Sequence, residues 1–266
     1  MQLDNYAFAD IVTGPSLSDG FFARTTRLGT TVNTLTPFGF RGEVELIDID
    51  KSGSNFLRQA YFQYDTGSWK HRLGRLFLGA GFSTPPPFKL RTVNYPGSPY
   101  NLHAWGIQTL GNLSDTTSAV LDISTRSGVA FSDPGSFGGL EASGRIQYEI
   151  NSSSLAPSFQ VGQGFYRVGI DGTYKFSDKF DAYGAVHLAK EGGLLKKIGH
   201  LFVGWKVFKG VELHTQIIYR QKQSIWWTNG IRLSDPSDKF SITLDHEHSL
   251  VEGVPSGTFV RLQFVY

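Results

Sequence analysis

The chain has 266 residues, with 25 Lys and Arg against 23 Asp and Glu; its formal net charge of +2 provides no basic footprint of the kind nucleic acid requires. It contains no cysteine, which excludes disulfides, thiolate metal sites and cysteine nucleophiles. Hydrophobic residues make up 40%, yet aromatics reach 14% and glycines number 31, a balance suited to one all-β domain over 1–266 without a large aliphatic core.

In chain order, the opening "MQLDNYAFAD" lacks the basic start and apolar run of a leader, so Met1 is taken as a start that replaces a removed signal peptide. Alternating apolar and polar residues then predict strands at 2–13, 21–33, 38–49, 55–65 and 68–79, because a period of two places one side-chain set on each face of a sheet. A long Gly- and Pro-rich connection follows at 80–102. Strands at 103–112, 116–126, 142–151, 164–176 and 180–190 come next, then 198–208, 211–221, 224–234, 238–248 and 257–266.

Short turns such as "DTGS" (65–68), "SDK" (177–179) and "KG" (209–210) alternate with longer connections at 80–102, 127–141, 190–197 and 249–256. Helical patterning is nearly absent, and "EGGLLKKIGH" is too short and Gly-flanked for a helix. The marked strands make an odd count, whereas closed membrane barrels normally have an even one. A further short strand in "LAPSFQVGQ" (155–163) brings the expectation to sixteen, with fourteen as the alternative.

The two faces differ in a way that separates membrane from soluble architecture. In "KFSITLDHEH", Phe240, Ile242 and Leu244 alternate with Ser241, Thr243 and Asp245. Apolar positions become aromatic near turns, at Phe38, Phe40, Tyr64, Trp69, Phe176, Phe180 and Trp205. A lipid-facing band with aromatic ends and a polar interior is the pattern of an outer-membrane barrel, while a sandwich would bury the apolar face in a core. Strands without helices can cross a bilayer only as a closed barrel, because every backbone polar group in hydrocarbon needs a partner. The expected fold is therefore a closed antiparallel transmembrane β-barrel.

Three stretches resemble bacterial outer-membrane porins. The terminal "FVRLQFVY" resembles the ending that the barrel assembly machinery reads, with Val260, Leu262, Phe264 and Tyr266 as its apolar set. The run "LRQAYFQYDTGSWKHRLGRLFLGAGFSTPPPF" (57–88) resembles the porin succession of strand, turn, strand and Gly/Pro loop, loosely that of the phosphate-selective and trimeric porins. The connection 80–102 stands after the fifth strand, where the resemblance implies a loop folded into the lumen. It also implies location in the bacterial outer membrane, contact with outer-membrane lipids, and a homotrimer.

Alternation assigns the lumen face. Its expected basic residues are Arg41, Lys70, Arg72, Arg126, Arg167, Lys175, Lys206, Arg220, Arg232, Lys239 and Arg261. The acidic ones are Glu43, Glu45, Asp122, Asp171, Asp181, Glu212, Asp245 and Glu247, joined by His187, His200 and His214. Eleven cations against eight anions give a lean toward anions. Within 80–102, Pro85 to Pro87 stiffen the backbone, and Lys89, Arg91, Tyr95 and Tyr100 are the expected constriction residues. Arg75 falls on the lipid-facing set with Leu73 and Phe77, so a bulge near Gly74 or a place at the membrane edge is expected.

Catalysis has little to stand on. "DHEHSL" (245–250) puts His246 and His248 on one strand face with Glu247 pointing away, and polar residues at an outer rim is the plainer interpretation. No HExxH, Gly-x-Ser-x-Gly or phosphate-loop motif occurs. The expected function is passive diffusion of ions and small hydrophilic solutes, with no enzymatic activity and no cofactor. An export barrel for polysaccharide or peptide, and a plugged structural barrel, are the alternatives.

Overall fold

The computed structural model describes residues 2–13, 22–33, 37–48, 57–78, 103–125, 139–191, 194–220, 224–237, 239–250 and 256–265. The described residues form antiparallel strands joined by turns. They are β1 (Gln2–Thr13), β2 (Phe22–Asn33), β3 (Phe38–Asp48), β4 (Leu57–Asp65), β5 (Trp69–Phe77), β6 (His103–Ser114), β7 (Thr117–Thr125) and β8 (Leu140–Ile150). The second half comprises β9 (Ser153–Gly162), β10 (Phe165–Ser177), β11 (Phe180–Glu191), β12 (Leu194–Phe208), β13 (Val211–Arg220), β14 (Ser224–Ser234), β15 (Phe240–Ser249) and β16 (Gly257–Val265).

Each strand pairs with its chain neighbours, and β16 returns to pair with β1 from Phe8↔Val265 to Thr13↔Val260. The ring of pairings leaves no open sheet edge, the feature that otherwise invites association. Because β1 begins and β16 ends at the same rim, that rim also carries the turns 66–68, 115–116, 151–152, 178–179, 209–210 and 235–239. The opposite rim carries both the longest connections, 78–102 and 126–139, and very short ones at 163–164 and 192–193.

Side chains sort by parity as the pleat requires. Outward positions are apolar: Phe62, Leu73, Ile107, Leu121, Ile123, Phe159, Val186 and Leu244 are exposed on the outside of the ring. Inward positions are polar and buried, among them Gln108, Asp122, Ser143, Gln160, Gln216, Thr243 and Arg261. This inverts the arrangement of a soluble sandwich. At the rim of the chain termini the outward set turns aromatic. Phe38 meets Tyr64 at 5.2 Å between ring centroids, Phe176 meets Phe180 at 5.2 Å, and Phe240 meets Phe264 at 5.0 Å.

Two local features depart from simple alternation. Gly74 has φ +141°, and a Cβ there would sit 2.2 Å from the Ala60 carbonyl oxygen, so only glycine lets β4 approach so closely. The register nevertheless runs on without a shift, from Tyr61↔Gly74 to Ala60↔Arg75, so the expected bulge is absent. Arg75 keeps its outward parity but is only 7% exposed, while Leu76 and Leu78, on the inward parity, are fully buried. In β9, Pro157 lies mid-strand, and the β8–β9 register skips from Arg145↔Ser158 to Tyr148↔Leu155 around it. Proline has no N–H to give a ladder, and the break falls where that donor is missing.

Candidate functional site: the polar inner wall

Strand register places inward residues of neighbouring strands in rows around the ring. One row runs Gln63, Arg72, Gln108, Asp122, Ser143, Gln160 and Arg167, each directly opposite the next from β4 to β10. Hydrogen bonds stitch this row. Arg72 donates from Nε to Gln63 Oε1 at 2.9 Å and from Nη1 to Gln108 Oε1 at 3.0 Å. Gln108 Nε2 donates to Asp122 Oδ1 at 2.7 Å, and Ser143 Oγ donates to Asp122 Oδ2 at 2.8 Å. Further along, Gln160 Nε2 donates to Glu141 Oε2 at 2.7 Å and accepts from Arg167 Nη1 at 3.4 Å. Buried polar groups so paired avoid the penalty of an unsatisfied donor or acceptor. The Arg72 guanidinium also lies 4.7 Å from the centre of the Tyr61 ring, a cation–π contact.

Other cations are anchored singly. Arg41 Nη2 reaches Glu43 Oε2 at 3.1 Å, and Gln59 Nε2 donates to the same oxygen at 3.1 Å. Arg145 reaches past β9 to Asp171, with Nη2–Oδ1 2.7 Å and Nε–Oδ2 3.4 Å, and donates to Gln147 Oε1 at 2.6 Å. At the rim of the termini, Lys175 pairs with Asp178 at 2.9 Å and Lys70 with Asp65 at 3.8 Å. Asp178 lies in a turn outside the strands, and the hydrogen bond from Lys175 followed by its charge holds the carboxyl below its ordinary value.

Imidazoles occupy β11 to β13. His214 Nε2 lies 2.7 Å from Asp245 Oδ1 and spans β14 directly above Gly230, which is opposite both residues in register. A Cβ on Gly230 would be 2.0 Å from that oxygen and 2.4 Å from that nitrogen. His200 contacts Gln216 at 2.6 Å and lies edge-on to Tyr183 at 5.3 Å. His214 stacks on Phe202 at 5.7 Å.

Most expected wall residues fall on the inward parity: Arg41, Glu43, Lys70, Arg72, Asp122, Arg167, Asp171, Lys175, Lys206, Arg232 and Arg261. Lys239 does not belong with them. It sits exposed in the turn before β15, because Asp235 folds the chain back there. Glu45 and Arg220 lie within β3 and β13, and their side chains are outside the description. Arg126, Tyr266 and the constriction residues Lys89, Arg91, Tyr95 and Tyr100 lie outside the described residues. Val260 and Leu262 alternate outward, and Phe264 is exposed beside Phe240.

Arg145 and Glu141 were missing from the expected wall. The alternation Ser143, Arg145, Gln147, Glu149 against Gly144, Ile146, Tyr148, Ile150 carried the signal. His246 and His248 face outward with rings 4.4 Å apart, His246 Nδ1 lies 2.8 Å from Thr258 Oγ1, and Glu247 points inward. Among the described residues no three His, Cys, Asp or Glu gather as metal ligands.

No protein-family model and no curated protein matches the sequence. Solved structures do match the fold. The outer membrane channel DcaP of Acinetobacter baumannii aligns at 11% identity with TM-score 0.65, over 99% of this chain and 97% of that one. The anion-selective porin from Comamonas acidovorans aligns at 13% and 0.68, over 100% and 99%. A substituted form of the Rh. blastica porin aligns at 12% and 0.68, over 100% and 99%. An apolar exterior, a hydrogen-bonded polar interior and these end-to-end superpositions give one conclusion: this chain has the β-barrel fold of bacterial outer-membrane porins.

Proposed function

We propose that the chain is an outer-membrane channel for passive diffusion of ions and small hydrophilic solutes, with a mild preference for anions. The observation that carries this is the sidedness of the ring, apolar outside and ionic inside, in a pairing order that closes on itself. Lipid would then meet the outer face and a solute path would follow the inner one. Sixteen strands enclose a lumen wide enough for water, whereas eight would be filled by side chains. The anion lean rests on the cations of β3 to β10, Arg41, Lys70, Arg72, Arg145 and Arg167, and one of the similar structures is an anion-selective porin.

The proposal includes a constriction by segment 80–102, with Lys89 and Arg91 focusing the field on passing anions. It also includes delivery by the barrel assembly machinery through the C-terminal strand, and assembly of the single domain as a homotrimer. No catalytic step and no cofactor is part of it.

The inward side chains favour one second reading. Glu247, Thr228 and Gln160 are each only 1% exposed, as they would be if the lumen were plugged. Single-channel recording in a planar bilayer decides. A steady open conductance whose reversal potential in a salt gradient moves to the anion side supports the channel. Near-zero conductance from inserted protein overturns it in favour of a plugged barrel. Replacing Lys89 and Arg91 by Glu should move the reversal potential toward cations, and an unchanged potential would remove the loop from the proposal.

A further inference from the structure

The outward face of the ring is almost without charge among the described side chains. Among the described side chains at outward strand positions, only Arg75, Lys190 and Lys197 are cationic Lys or Arg, and none is Asp or Glu. Arg75 is buried. Lys190 and Lys197 are exposed, and they are neighbours. In the β11–β12 ladder Lys190 stands opposite Leu195, and Lys197 stands opposite Leu188, so the two ammonium stems are diagonal partners within reach of one ligand. Among the described residues no ion pair engages either one.

Their position is equally specific. Both lie near the paired strand ends Glu191 and Leu194, at the rim opposite the chain termini. Leu188 and Leu195 are exposed between them, and Tyr219 is exposed on β13 opposite Gly199, two residues from Lys197. A lysine on the lipid face is costly at the bilayer midplane and nearly free near the interface. The pair is therefore tolerable only where headgroups begin, and a cation there attracts anionic headgroups.

We infer that Lys190 and Lys197, with Leu188, Leu195 and Tyr219, form a site for a phosphate-bearing glycolipid of the outer leaflet. The ammonium groups hold the phosphate, the leucines meet the first methylenes of the acyl chains, and the tyrosine borders the sugar. The inference rests on the outer-membrane channel proposal, which sets that rim in the outer leaflet.

The test uses the full chain reconstituted in phosphatidylcholine vesicles doped with bisphosphorylated lipid A, or with lipid A stripped of both phosphates. After detergent extraction, the glycolipid retained by the protein is quantified. Wild type should retain the phosphorylated form preferentially, and Lys190→Gln with Lys197→Gln should lower that retention about thirtyfold. Both proteins should retain the stripped form equally weakly. Equal retention of the phosphorylated form by wild type and the double variant overturns the site, as does wild type that ignores the phosphates. Conductance in undoped phosphatidylcholine separates the two levels. A conducting protein without phosphate preference loses only this site, whereas one that fails to insert in any vesicle overturns the site and the channel together.

Discussion

Gly230 shows how one missing side chain decides the chemistry of the wall. His214 and Asp245 bond across an intervening strand, which is possible only because the residue beneath them ends at its Cα. Gly230→Ala would put a methyl group at 2.0 Å from the carboxylate oxygen, so the pair must part. Separating two largely buried polar groups costs about 1–3 kcal/mol, measurable by urea unfolding in detergent. In an Asp245→Ala background the same change should cost much less, since both substitutions strike one contact. Fully additive losses would show that Gly230 serves the backbone instead. Such a dependence is invisible in the sequence. Alternation put His214 and Asp245 on the inner face, but nothing in "HTQ", "TNGIR" and "LDHE" sets them in one row, because register across two turns is a tertiary fact. Lys239 was misplaced for the opposite reason: its spacing fits the strand, and only the geometry of the turn removes it.

At the scale of elements, the turn 235–239 ties β14 to β15 through one carboxylate. Asp235 accepts hydrogen bonds from the backbone N–H of Phe240 at 2.7 Å and of Ser237 at 3.0 Å, and from the Ser237 hydroxyl. These bonds, that of the Ser237 hydroxyl foremost, lower its pKa to about 2. A depressed carboxyl stabilises the fold fully above its unfolded value near 4, and the contribution fades as pH falls through about 2. The amide of Phe240, followed by NMR in micelles, should titrate with a midpoint near 2; a midpoint near 4 would mean that the carboxylate is unengaged. This hairpin was legible, since "DPSD" is turn chemistry between two alternating runs. β9 was harder to see. Serines and Pro157 mask its period, and Pro157 does interrupt its ladder with β8. β12 starts at Leu194, earlier than alternation suggested, because Lys197 shares the outward face with Leu195 and breaks the apolar pattern there.

For the whole molecule, the decisive property is which side of the sheet is wet. The sequence carried that information in its aromatic strand ends and its polar alternate positions, since the demands on the two faces of a closed sheet constrain residue class more than identity. What it could not carry was the row of opposed polar side chains from Gln63 to Arg167, which exists only once β4 to β10 are aligned. Two substitutions on β7 test the sidedness itself. Leu121 points outward and is 55% exposed, while Ser118 points inward between Asn112 and Gln147. In a bilayer, Leu121→Arg places a cation in hydrocarbon and should destabilise the folded barrel by roughly 2–4 kcal/mol. Ser118→Arg should leave stability nearly unchanged and shift the reversal potential further toward anions. A water-exposed outer face would reverse the first expectation, because an exposed leucine in a soluble barrel gains solubility when it becomes arginine. Measuring both variants by urea titration in phosphatidylcholine vesicles therefore distinguishes a membrane wall from a soluble one: tolerance of arginine at 121 would rule out the lipid-facing exterior, and with it the channel.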